Sequence, residues 1–200
     1  MARTQYVDTP AMTRATTRAA IVVDRMKAAR LLYPSVRDER VSLKALDGVT
    51  GTNITEVERG ARELTLRQAA RWCERMRIPL DKLLMLRDPT VVGPPVPDGH
   101  DDTTAAREAM LLIQPTQWRH YNGAKVERHL RATLKAKREE LGLGLRAVAE
   151  QAGLAHHTSA WRAEDDAHST RFGLRLRLMF AMADVLDLDV PSMIRAYRDA

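Results

Sequence analysis

Asn53 stands within Gly48-Val49-Thr50-Gly51-Thr52-Asn53-Ile54-Thr55-Glu56-Val57-Glu58-Arg59-Gly60, a stretch whose polar side chains are of the kinds that read base edges. A carboxamide can donate to and accept from adenine at once, a guanidinium can donate twice to guanine, and a threonine methyl can meet that of thymine. Ile54 and Val57 give the stretch one apolar side. A short helix here therefore turns Thr52, Asn53, Thr55, Glu56 and Arg59 toward solvent or a groove. Thr52, Asn53, Thr55 and Glu56 are the candidate base readers, with Asn53 foremost. Thr50 is the expected cap of this helix, and Gly51 allows close approach to a phosphate, which free amides at a helix start can bind. Thr50, Gly51, Arg40, Arg59 and Arg62 are assigned to the DNA backbone, where contacts position a protein without specifying a sequence.

A second set follows another glycine turn. After Leu145 to Leu154, the residues His156, His157, Thr158, Ser159 and Arg162 open a further helix, from about His156 to Ala163, with base- or phosphate-binding groups. They form either a second reading set or a degenerate repeat that only packs or dimerises. The stretch from Arg119 to Arg146 is basic, and Lys125, Arg128 and Arg146 are assigned to backbone contacts, the alternative being a solvated helix face. Arg3, Arg14 and Arg18 make the amino-terminal segment either a basic arm for a minor groove or a frayed end.

Charge agrees with a polyanionic partner. The chain carries a formal charge of +6, and residues 1 to 90 hold 17 Lys and Arg against 11 Asp and Glu, while the remainder balances at 15 of each. Enzyme chemistry finds no purchase: there is no Gly-rich phosphate loop, no His-Glu-x-x-His pair and no Gly-x-Ser-x-Gly elbow. His156 and His157 are neighbours that point about 100° apart on a helix, a poor metal pair. No enzyme activity, cofactor, metal or small-molecule ligand is expected. The single cysteine, Cys73, excludes an internal disulfide and reads as core packing. No run reaches the ~18 apolar residues of a membrane helix, and the opening residues lack a secretory signal's apolar core.

The elements that must hold these residues read as helices throughout, so the fold class is all-α. Thr17 is the expected cap of a first helix with Ala20, Ile21, Val23, Met26, Ala28, Leu31 and Leu32 as its stripe, ended by Pro34. Asp38 or Ser42 caps a short second helix with Val41, Leu43 and Leu46 inward, and Gly48 is its turn. Thr65 caps a helix burying Leu66, Ala69, Ala70, Trp72, Cys73 and Met76, and Pro79 opens another with Leu80, Leu83, Leu84 and Leu86. The expected domains are a basic arm over 1–16, a five-helix unit over 17–86, a Pro/Gly-rich linker over 87–102, and connector helices with a second all-helical unit over 103–200. The last two helices, Phe172 to Leu186 and Pro191 to Arg198, read as core.

The pattern Gly-Val-Thr, Ile54-Thr55 and Val57-Glu58-Arg59-Gly60 resembles the signature of Cro and lambda-repressor-like helix-turn-helix domains over roughly residues 17 to 86. The resemblance implies a reading helix whose start enters the major groove, and a structural Glu58 paired within the domain. Val148-Ala149-Glu150-Gln151-Ala152-Gly153-Leu154 repeats the pattern, with the small Ala149 four before the glycine. As a whole the chain resembles the immunity repressors of temperate mycobacteriophages. That resemblance implies a monomeric, sequence-specific repressor of double-stranded DNA. It would put two heads in successive major grooves of asymmetric operators, called stoperators, and maintain lysogeny on the nucleoid in the bacterial cytoplasm. Two different heads suit a non-palindromic site. The rival expectation is an antitoxin-like protein whose second half binds a protein partner, which would expose Leu and Met positions there as an apolar patch.

Overall fold

Threonine and proline at positions 9 and 10 start the first helix. The computed structural model describes residues 6–85, 93–114, 122–165 and 173–199, and among these the regular elements are helices, with two isolated β-bridges and no strand. Helix α1 spans Pro10–Arg37, with Thr9 as N-cap accepting from the Met12 amide at 3.1 Å. Pro10 occupies the position where a missing N–H costs nothing. The start expected at Thr17 is thus too late: its hydroxyl bonds back to the Thr13 carbonyl inside the helix. Pro34 does not end α1 either, because its carbonyl still accepts from Asp38, the left-handed C-cap. The buried stripe is Met12, Ala15, Val22, Met26, Ala29, Leu32 and Tyr33, while Ala20 and Leu31 face solvent.

Ser42 caps α2 (Leu43–Thr50) through the Ala45 amide. The helix runs past Gly48, and the turn glycine is Gly51, at φ 68°. A short α3 (Ile54–Glu58) follows, capped by Asn53. Thr65 caps α4 (Leu66–Met76) in a reciprocal box with Gln68, and Pro79 precedes α5 (Leu80–Leu84). The six inward positions foreseen on α4 are all buried. Leu86 lies outside the described residues, as do 87–92; the rest of the expected linker is non-helical up to α6 (Thr104–Ile113). The second half holds α7 (Gly123–Glu140), α8 (Leu145–Gln151), α9 (His157–Glu164), α10 (Leu176–Val185) and α11 (Val190–Asp199).

The second set repeats the first. Leu64, Thr65 and Leu66 leading into α4 correspond to Leu174, Arg175 and Leu176 leading into α10; the left-handed Arg77 after α4 corresponds to the left-handed Asp187 after α10. Even the closing bonds match, Ile78 N to Cys73 O at 2.9 Å and Leu188 N to Ala183 O at 2.8 Å. The equivalent segments also pair with each other. Thr65 and Arg175 form an antiparallel bridge, with Leu66 N bonding Leu174 O at 2.8 Å and Leu176 N bonding Leu64 O at 3.0 Å. Helix α5 packs on its counterpart α11, and the α1–α10 contact is mirrored by α7 on α4. Such reciprocal contacts are those of an isologous interface, here within one chain. One hydrophobic core runs through both halves, and α6 lies as an addition along α1.

Charged groups tie the layers where the core narrows. Arg25, 5% exposed, reaches Glu108 of α6 at 2.8 Å and the Leu83 carbonyl at 3.1 Å. Glu127 of α7 is fully buried and accepts from Arg131 at 2.7 and 3.1 Å, with Arg67 of α4 at 3.0 Å from its other oxygen. Cys73 is wholly buried, and burial, with the Asp81 carboxylate adding to it, pushes its thiol well above the usual range. A thiolate is the reactive form, so a thiol reagent at neutral pH is expected to modify Cys73 only in denaturant. Rapid labelling of the native protein would show that α4 opens readily.

Candidate nucleic-acid interface

The first helix pair is set by Asp47. Its carboxylate, four residues before Gly51, accepts from the Ile54 amide at 2.8 Å and so fixes the start of α3 against α2. Ile54 and Val57 are buried beneath, and Glu58 is held by Arg30 of α1 through two bonds of 2.8 Å. That pairing is the structural one implied for Glu58. Asn53 is exposed; its Oδ1 accepts from the Glu56 amide at 3.1 Å, which leaves its NH2 facing outward chemistry as a donor. Thr55 is half-buried, and Glu56 pairs with Arg62 at 3.1 Å. Gly51 and Arg59 are exposed at the turn and at the end of α3, and Arg40 is exposed just before α2.

Two residues assigned to DNA are corrected. Thr50 is 1% exposed, the last residue of α2 rather than the cap of α3, and its hydroxyl donates to Leu46 O at 2.8 Å. Thr52 is 5% exposed, with its hydroxyl accepting from Arg62 at 3.3 Å and its carbonyl accepting from Thr50. Both follow from the turn falling at Gly51 instead of Gly48, which carries Thr50 and Thr52 inward. Lys44 and Arg71 stand beside this helix pair as further cations. Both are exposed, and Arg71 Nη1 lies 3.8 Å from where a side chain on Gly51 would begin. Arg71 alternates with the buried positions of α4, so its outward placement was available from that helix's period.

Around α9 the same logic is built from other residues. Glu164 is bonded to Arg138 of α7 at 2.8 Å, and this carboxylate holds the Arg138 guanidinium above even the usual arginine range. Arg131 donates to the Arg162 carbonyl. Held in this way, α9 presents His156, His157, Thr158 and the Arg162 side chain exposed, with Ser159 half-buried and Trp161 exposed beside them. Arg146, on α8, is exposed and 3.1 Å from Glu150. Lys125 and Arg128 are on the solvent side of α7, whereas the contacts that carry α9 come from its inward side.

The amino-terminal arm is also corrected. Residues 10–16 are the first turns of α1, and Arg14 bonds Asp184 of α10 at 2.6 and 3.1 Å, which raises its pKa further. Met12 and Ala15 bury themselves there, and this burial is what orders the segment. Arg18 sits half-buried in the same helix; Arg3 lies outside the described residues. No helix among the described residues is long and apolar enough to cross a membrane. No protein-family model, curated protein or solved structure matches the chain.

Proposed function

We propose that the chain is a sequence-specific repressor that binds double-stranded DNA through α3 and α9. The observation that carries this reading is the division of the two glycine-turned helix pairs. Most of their apolar residues are buried in one core, Val49 and Trp161 being exposed, and the polar side chains left outside include Asn53, Arg59, His156, His157, Thr158 and Arg162. Base reading falls to Asn53, with Thr55 and Glu56 beside it, and to His156, His157, Thr158, Ser159 and Arg162 of the second pair. Phosphate contacts fall to the Gly51 turn and to Arg40, Arg59, Arg62 and Arg146, with Lys125 and Arg128 as outlying candidates. A protein-binding second half would leave its Leu and Met positions open; Leu176, Met179, Met182, Leu186 and Met193 are instead buried, while Leu111 and Leu141 stand exposed on separate elements. Blocking transcription at operators, as in the phage immunity repressors that the sequence resembles, is the physiological role this predicts, with lysogeny as its setting.

Asn53 also caps α3, so its test needs a variant that keeps the cap. Asn53→Ser retains an N-capping oxygen and removes the carboxamide. It is expected to cost about 1–3 kcal/mol of binding confined to one base position. Arg59→Ala should instead weaken specific and random DNA alike and reduce the salt slope by about one. The measurements are a selection from random duplexes, then titration over a range of salt. Equal losses on selected and random DNA for Asn53→Ser would remove Asn53 from base reading, and failure to enrich any sequence would remove the function.

A further inference from the structure

The geometry points to an operator made of two unlike half-sites in inverted orientation, both read by a single chain. This rests on the DNA-binding reading above and adds what that reading leaves open, the relative direction of the two heads. The bridge between Thr65 and Arg175 decides it. Equivalent residues of the two halves pair with one another, antiparallel and with reciprocal bonds, so the halves are related by a rotation of about 180° and not by a translation along the chain. The α5–α11 contact joins equivalent helices, and α1–α10 with α7–α4 form a reciprocal pair, as the same operation requires. Helices α3 and α9 are carried by these two halves and therefore meet a duplex in opposite senses. DNA has dyads of its own, so two heads related in this way meet equivalent groove faces when their half-sites are inverted.

The half-sites must nevertheless differ in sequence. Asn53, Thr55 and Glu56 at the start of a five-residue α3 are matched by His156, His157, Thr158 and Ser159 at the start of an eight-residue α9. The operator is therefore asymmetric in bases while symmetric in backbone, and the interface that would ordinarily recruit a second subunit is already occupied inside the chain. Arg175 and Arg177 near the pairing point face Glu63 at 3.5 and 3.8 Å, so this region is engaged within the molecule.

The experiment uses the full chain and the duplex enriched from a random pool. Three probes follow: the selected site, the same site with one half reversed in place, and the site with about 5 bp inserted between halves, half a helical turn. Reversal and insertion are each expected to lower affinity at least ~100-fold, to the level of one half-site alone. Asn53→Ser should alter preference at one end only, and His157→Ala at the other. Sedimentation should find one chain per duplex. A selected site organised as a direct repeat, reversal without loss, or two chains per site would overturn the inference while leaving DNA binding intact. A pool in which nothing is enriched overturns DNA binding itself.

Discussion

Replacing Glu127 with alanine is expected to lower the unfolding free energy by about 3–5 kcal/mol, the largest loss for any single ion-pair residue among the described residues. Arg131 is 3% exposed and has Glu127 as its paired anion, so the substitution leaves a guanidinium buried without its countercharge. Arg67, 23% exposed, can turn to water and suffers less. The effect should appear in urea titration, and as a fall in melting temperature of roughly 10 °C for a chain of this size. A double replacement, Glu127→Leu with Arg131→Met, should recover most of the loss, because it removes the desolvated charges together. A Glu127→Ala loss below about 1 kcal/mol, as for exposed pairs, would show that water reaches this site in solution.

Gly153→Ala comes next, and Gly51→Ala is its control. Both glycines sit at φ 68°, so both substitutions carry the same left-handed penalty, about 1 kcal/mol. Only at Gly153 would the added carbon also land 2.3 Å from the Val7 carbonyl and 2.7 Å from the Thr9 hydroxyl, backbone and cap atoms with little room to yield. At Gly51 the nearest atom is the end of the Arg71 side chain, at 3.8 Å. Gly153→Ala should therefore cost about 2–3 kcal/mol more than Gly51→Ala in denaturant titration. Equal costs would mean that residues 7–12 do not pack on the α8–α9 turn in solution.

Sequence patterns worked best where a helix is specified by its own residues. Thr65 with Gln68, and the apolar period through Met76, announce α4 without reference to anything distant. The start of α1 was missed because Thr13, Thr16 and Thr17 dilute its first turns, although Thr9-Pro10 is itself a start signal. Gly48, expected as the turn, instead lies inside α2. A glycine on the outside of a helix costs only about 1 kcal/mol, and Asp47 anchoring Ile54 favours Gly51 instead. Asn53 emerged as an exposed helix cap and Thr52 as a buried turn residue, a difference that one residue of register decides. Long-range pairs such as Arg14 with Asp184 leave no local trace. The internal two-fold did leave one, the Leu-x-Leu recurrence at 64–66 and 174–176, which marks equivalent strands of backbone rather than a motif for chemistry.

Val7 bonding Gly153, at 2.7 Å, joins nearly the first described residue to one three-quarters of the way along the chain. During synthesis, the opening turns of α1 must therefore wait with Met12 and Ala15 uncovered until α8 and α10 have left the ribosome. The turn between α8 and α9 gains its packing against residues 7–12 only then. Prematurely terminated chains lack the surfaces that complete the fold.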